Sequence, residues 1–197
     1  MKMGFLTDNC FFSVLNTEVV SNMAHFYCGD TDLDNFFQNE AILYSKQLLG
    51  KSYCFRLEQD PTIVVCAFTV ANASMRVDFL PNARKKKISK NIPHQKEHKS
   101  YPAVLVGRLG VNIGYQSHHV GCELMDFIKS WFVDPLNKTG CRFVIVDAYN
   151  NEKAIAYYKR NNFESVFSSE EQERNALGLS VEKLDTRFMF FDLITIC

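Results

Sequence analysis

The chain has no excess of either charge: 22 Lys and Arg stand against 22 Asp and Glu over 197 residues. A balanced chain has no global field to draw it to nucleic acid or a membrane surface, so only a local patch could do so. CxxC pairs are absent. The seven cysteines (Cys10, Cys28, Cys54, Cys66, Cys122, Cys141 and Cys197) are odd in number, and several sit inside apolar runs. That pattern supplies neither a disulfide framework nor a zinc site, and fits reduced thiols in a cytoplasmic setting. No apolar run approaches the roughly 20 residues of a membrane helix. The N-terminal stretch is broken by Asp8 and Asn9 and is not expected to be a signal peptide. There is no internal repeat. What remains is an ordinary globular composition, 47% hydrophobic, expected to form one domain over residues 1–197.

Residues 30–49 read as helical. Asp30 or Thr31 can cap the start, and Leu33, Phe36, Phe37, Ala41, Leu43, Tyr44 and Leu48 recur near helical spacing, as one helix or two short ones. Residues 52–57 and 62–73, rich in aromatic and β-branched side chains around Gln59, Asp60 and Pro61, read as a β-hairpin. Residues 84–100, RKKKISKNIPHQKEHKS, break the pattern and read as a basic surface loop. Strands are expected at 101–111, 142–148, 163–167 and 187–196, and helices at 120–132 and 151–161. Residues 168–185 are charged and read as a short helix or a loop. The order predicts an α/β chain with a mixed central sheet flanked by helices.

Two stretches carry chemistry. Within 107–132, a strand runs into a polar turn, Gln116-Ser117-His118-His119-Val120-Gly121, and then an amphipathic helix. Strand, turn and helix N-terminus together favour an anion, because the first N–H groups of a helix lack partners and its dipole is positive there. The second stretch is Asn151-Glu152-Lys153-Ala154-Ile155-Ala156-Tyr157-Tyr158-Lys159-Arg160-Asn161-Asn162-Phe163. Read alone, the turn is compatible with a plain strand-to-helix connection and the adjacent tyrosines with core packing.

Taken together, these stretches resemble the GNAT N-acetyltransferases. The first matches the family's Gln/Arg-x-x-Gly-x-Gly/Ala at Gln116 and Gly121, with His119 at the first Gly. The second matches Asn-x-x-Ala-x-x-aromatic-Tyr-x-x-x-Gly-Phe except that Asn162 stands at the Gly, and Asn tolerates the left-handed conformation well. The resemblance implies a GNAT fold and acetyl-CoA as cosubstrate. Its pyrophosphate would lie on the backbone of Gln116, Ser117, His118, His119, Val120, Gly121 and Cys122. Leu109 and Val111 would pair with the pantetheine arm, Asn151 and Ala154 would line it, and Tyr158 would protonate the departing sulfur as the catalytic general acid. No metal is implied. The acceptor is a primary amine, attacked directly in a ternary complex. A non-catalytic acyl-CoA-binding module is the alternative that the His119 replacement leaves open.

A third stretch, residues 25–37 (HFYCGDTDLDNFF), resembles the opening of the GNAT branch that contains aminoacyl-tRNA-acetylating toxins. It implies aminoacyl-tRNA as an acceptor, a ribbon-helix-helix antitoxin as a partner, and a homodimer as a further possibility. Arg84, Lys85, Lys86, Lys87, Lys90, Lys96 and Lys99 would then face phosphates, or form a solvated loop. Glu58, Asp60, His94 and His98 are candidates for the base and read as solvated surface residues.

Overall fold

The computed structural model describes residues 4–94 and 98–197. Seven strands are present among them: β1 (Cys10–Val14), β2 (Lys51–Leu57), β3 (Val64–Arg76), β4 (Ser100–Val111), β5 (Phe143–Tyr149), β6 (Glu164–Ser165) and β7 (Thr186–Asp192). They form one mixed sheet in the order β1-β2-β3-β4-β5-β7-β6. β1 and β2 are antiparallel, as are β2 and β3, with a register shift at Phe55 and Arg56. β4 runs parallel to β5 over Ala103, Val104 and Leu105, and β5 is antiparallel to β7. The expected hairpin is therefore β2 and β3. The helices are α1 (Phe5–Asn9), α2 (Thr17–Asn22), α3 (Thr31–Asn35), α4 (Ala41–Lys46), α5 (Asn82–Ile88), α6 (Val120–Val133), α7 (Glu152–Arg160) and α8 (Glu170–Leu177).

Two compact units result, Met1–Asn72 with Val106–Ser130, and Ala73–Leu105 with Trp131–Cys197. The first unit is built on Leu15, Val19, Phe26, Phe36, Phe37, Ala41, Cys54, Val64 and Ala67. Asp30 caps α3 by accepting the N–H groups of Asp32 and Leu33. A π-helical turn, Phe36–Glu40, joins α3 to α4. The consecutive Phe36 and Phe37 are both buried in this core.

The second unit is built on Met75, Val77, Leu80, Ile88, Tyr101, Ala103, Phe143, Ile145, Val166, Phe167 and Phe190. Arg142 meets Asp192 through two parallel bonds of 2.6 and 2.9 Å. Glu173, 2% exposed, accepts from Arg187 Nε at 2.6 Å and from the Phe188 N–H at 2.7 Å, pinning α8 to β7.

Several expectations need correction. The segment 84–100 is not wholly a loop: its start lies in α5, where Ala, Arg and Lys favour a helix after Pro81 and Ile88 anchors it in the core. The strand expected at 163–167 is only β6, because Val166 and Phe167 turn inward to the core. The strand expected at 187–196 ends at Asp192, whose carboxylate caps a short 3-10 helix, Leu193–Ile196. Residues 168–185 hold α8. Helices α1 and α2 and strand β1 were not anticipated. All seven cysteines are free thiols. Among the described residues no helix is long and apolar enough to cross a membrane.

Candidate active site

β4 ends at Val111, and Asn112 redirects the chain. Its side-chain oxygen accepts the Gly114 N–H at 3.2 Å, starting a 3-10 helix, Ile113–His118, where the sequence predicts a simple turn. His119 follows with φ 58°, in the left-handed region. Few non-glycine residues adopt that conformation, and glycine adopts it freely. The His119 carbonyl then accepts from the Cys122 N–H at 2.9 Å and the Glu123 N–H at 3.2 Å, opening α6. The Cys122 N–H thus closes the turn. Val120 is fully buried, whereas His118 and His119 are exposed and Gly121 is half-buried. The side chain of Ser117 lies outside the described residues.

Gln116 holds the turn in place. Its Nε2 donates to the Val111 carbonyl at 3.0 Å and to the Cys28 carbonyl at 2.7 Å. The Ile113 N–H donates to Tyr27 O at 2.8 Å. In the same segment, Asp34 is buried and accepts the Cys28 N–H at 2.7 Å. The third sequence stretch is therefore stitched to the first. Gly110 permits this approach: a Cβ there would lie 3.2 Å from the Phe26 ring and 3.3 Å from Cys28 Sγ. Burial, then the hydrogen bond with Asp34, pushes the Cys28 thiol up to about 12, so it is not a nucleophile. Leu109 and Val111 are half-buried on β4.

The second stretch folds as the text predicts. Asn151 caps α7, its side-chain oxygen accepting the Ala154 N–H at 2.9 Å. That oxygen is the helix cap, which leaves its amide nitrogen as the group able to reach a ligand. Ala154 is half-buried. Asn162 ends the segment with φ 61°, the left-handed conformation expected of it. Tyr158 is half-buried between Tyr157 and Phe163, with ring centroids 5.1 and 5.4 Å away. Burial, with the charges of Asp147 and Tyr149 adding, pushes its phenol up to about 12. The phenol is therefore protonated throughout the neutral range.

Asp147, whose charge acts on the Tyr158 phenol, is not among the site residues that the motifs predict. Although the residue is exposed on β5, partial loss of solvent around its carboxyl, and then the charge of Glu173, raises that carboxyl. The available signal was a lone carboxylate closing the apolar run of β5. Asp60 is a turn residue that accepts from Thr62 N and Oγ1, and Glu58, like it, is exposed. His98 lies against Tyr101 with ring centroids 5.6 Å apart; His94 is exposed.

The basic segment divides by role. Arg84 donates to the Val166 carbonyl at 2.7 Å and to the Ser165 carbonyl, holding β6. Lys87 pairs with Glu164. Lys86, Lys90 and Lys99 are exposed and Lys85 is half-buried. Lys96 lies outside the described residues.

No family model matches the chain. Solved structures do. A Tyr-to-Phe mutant of KacT superposes with TM-score 0.65 and 17% identity, over 96% of this chain and 98% of that one. AtaT complexed with acetyl-methionyl-tRNAfMet gives 0.63 and 20%, over 95% and 96%. An AtaT mutant toxin bound to the C-terminus of the antitoxin AtaR and acetyl-CoA gives 0.61 and 18%, over 96% of each. The chain has the GNAT fold. AtaT, a neighbour in fold, is itself a toxin.

Proposed function

We propose that the protein is an acetyl-CoA-dependent N-acetyltransferase that acts on a primary amine by direct transfer in a ternary complex. The observation that carries this reading is the placement of the Tyr158 phenol, packed between Tyr157 and Phe163 on the helix that Asn151 caps. The turn supports this reading: His119 takes a left-handed backbone, and α6 begins directly after it with its N-terminal N–H groups. Acetyl-CoA supplies the acetyl thioester. The backbone of His118, His119, Val120 and Gly121 would hold the pyrophosphate, Leu109 and Val111 the pantetheine amides, and Asn151 the arm beside Ala154. As the amine nitrogen bonds to the carbonyl carbon, the C–S bond breaks and its electron pair stays on sulfur. The Tyr158 O–H hydrogen-bonds to that sulfur as its charge develops, the ammonium proton leaves to solvent, and solvent returns a proton to make the coenzyme A thiol, so Tyr158 ends the cycle as a phenol.

Aminoacyl-tRNA is the acceptor favoured by a specific observation. The segment resembling the toxin branch is fixed against the pyrophosphate turn through Gln116, Tyr27 and Asp34, and Lys86 and Lys90 stand exposed on and beyond α5. AtaT, a neighbour in fold, is complexed with an acetylated aminoacyl-tRNA and, in a second structure, with an antitoxin. By that likeness, the partners here would be aminoacyl-tRNA and an antitoxin in the cytoplasm.

The deciding experiment is calorimetric titration with acetyl-CoA, followed by acetyl transfer to aminoacyl-tRNA and to small amines. Micromolar binding with transfer supports the enzyme. Binding without transfer to any amine would make it a coenzyme-binding module. No binding at millimolar ligand would refute the reading.

A further inference from the structure

The N-terminal segment has no place in the sequence motifs, yet it is fastened to the pyrophosphate turn at two points. We propose that Gly4, Phe5 and Leu6 are part of the coenzyme site: they position the turn and hold Glu123, the carboxylate in the first turn of α6, turned toward the N-terminus of α1. The inference rests on the coenzyme reading above. The Phe5 N–H donates to Glu123 Oε1 at 2.9 Å and the Leu6 N–H to Oε2 at 2.8 Å. These are the opening N–H groups of α1, which no residue of the helix itself can satisfy, and Gly4 offers no side-chain cap. Glu123, 117 residues away from Leu6, caps α1 instead. At the second point, the Phe5 ring lies 5.4 Å from the Tyr115 ring and 5.6 Å from the His118 ring, both in the 3-10 helix that precedes His119. Leu6 is buried and anchors the segment.

The electrostatics give the tether a purpose. An anion on the first turn of α6 would meet the Glu123 carboxylate as a like charge. Two N–H donors aimed at that carboxylate offset its field with their own dipoles and fix where it points. Gly4 is required by space and not by backbone angle, since its φ of -158° is ordinary extended chain. A Cβ at Gly4 would stand 2.5 Å from Glu123 Cδ and 2.6 and 2.8 Å from its oxygens. One methyl group therefore displaces the carboxylate without opening the core.

The test uses the full chain and two readouts. In the free protein, Gly4→Ala and Phe5→Ala are expected to speed hydrogen exchange of the amides at 119–123 by about tenfold. In titrations, Gly4→Ala is expected to bind acetyl-CoA about tenfold more weakly and acetylpantetheine, which lacks the pyrophosphate, as the parent does. Adding Glu123→Gln to Gly4→Ala should restore most of the lost acetyl-CoA affinity, a recovery that general loosening of the fold would not give. Unchanged exchange would overturn the tether. Equal weakening of both ligands, or no recovery in the double variant, would overturn the electrostatic role. A parent protein that binds no acetyl-CoA would instead refute the coenzyme reading, and the exchange result would still judge the tether by itself.

Discussion

Replacing Tyr158 by Phe removes one oxygen and leaves the ring contacts to Tyr157 and Phe163 in place. Fold and coenzyme affinity should therefore survive: the dissociation constant for acetyl-CoA is expected within about twofold of the parent's. The rate should not survive. General acid–base groups contribute roughly 10²–10⁴ in rate. The environment of Tyr158 decides where in that range the loss falls. Its phenol is pushed up to about 12, whereas an ordinary thiol titrates near 8.5, a gap of about 3.5 units. Full proton transfer to a thiolate is uphill across that gap, so the phenol acts mainly as a hydrogen-bond donor to the forming sulfur anion. The expected loss is near the low end, about 10²-fold in kcat, or roughly 2.7 kcal/mol. The assay is release of coenzyme A thiol with a saturating amine, read from pH 6 to 10. In the parent, activity should rise as the acceptor amine deprotonates and show no fall from Tyr158 below pH 10, since the phenol keeps its proton there. An unchanged kcat, or equal loss of rate and affinity, would make Tyr158 a packing residue and refute the argument.

His119→Val should cost about 1–2 kcal/mol in urea unfolding, because a β-branched residue resists the left-handed backbone. His119→Gly should be neutral or stabilising, and a loss of stability on glycine substitution would refute that reading. Arg84→Ala should cost about 2 kcal/mol, the worth of a guanidinium bonded to backbone carbonyls. Replacing Lys85, Lys86 and Lys90 together should leave stability and small-amine acetylation alone but lower aminoacyl-tRNA acetylation, with a salt slope smaller by up to about 3. Equal rates on tRNA would remove that contact. Alkaline pH should unfold the protein early. Burial holds the thiols of Cys10 and Cys141 at about 11, so both are protonated in folded and unfolded chains below pH 8. Above about pH 9 the unfolded thiols ionise and the folded ones do not, so stability falls from there toward pH 11. A melting temperature flat from pH 8 to 10.5 would contradict this.

The strands and helices that carry the motifs were legible because each combines a period with a stop signal. Leu124 and Ile128 follow Val120 at helical spacing and are buried in α6, and Asn151 both starts and caps α7. Periodicity could not anticipate what depends on distant partners. Strand β1 has only five residues, and its identity comes from pairing with β2. α1 has no cap of its own and takes one from Glu123. The basic run looked solvated because charge alone does not reveal that Arg84 reaches carbonyls more than 80 residues away. Gln116 matched a phosphate motif by letter, while its side chain ties two backbone segments together.

The two positions at which the chain differs from the GNAT motifs it resembles share a backbone shape. His119 and Asn162 both replace glycine, and both take the left-handed backbone that glycine takes freely, at φ 58° and 61°. A non-glycine residue there costs on the order of 1 kcal/mol, so something must hold each turn. At Asn162 the ties are local: its N–H donates to Lys159 O at 3.0 Å and the Phe163 N–H to Tyr158 O at 3.0 Å, with Phe163 buried beneath. At His119 they are partly distant: its carbonyl binds the first turn of α6, and Gln116 and Phe5 fix the 3-10 helix before it. The motif is therefore a statement about backbone shape more than about side chains. A glycine adopts that shape alone, and here a network of long-range contacts imposes it on histidine. The turn whose glycine is missing is also the one to which the N-terminal segment is fastened, and that segment is where a loss of coenzyme affinity should first be sought.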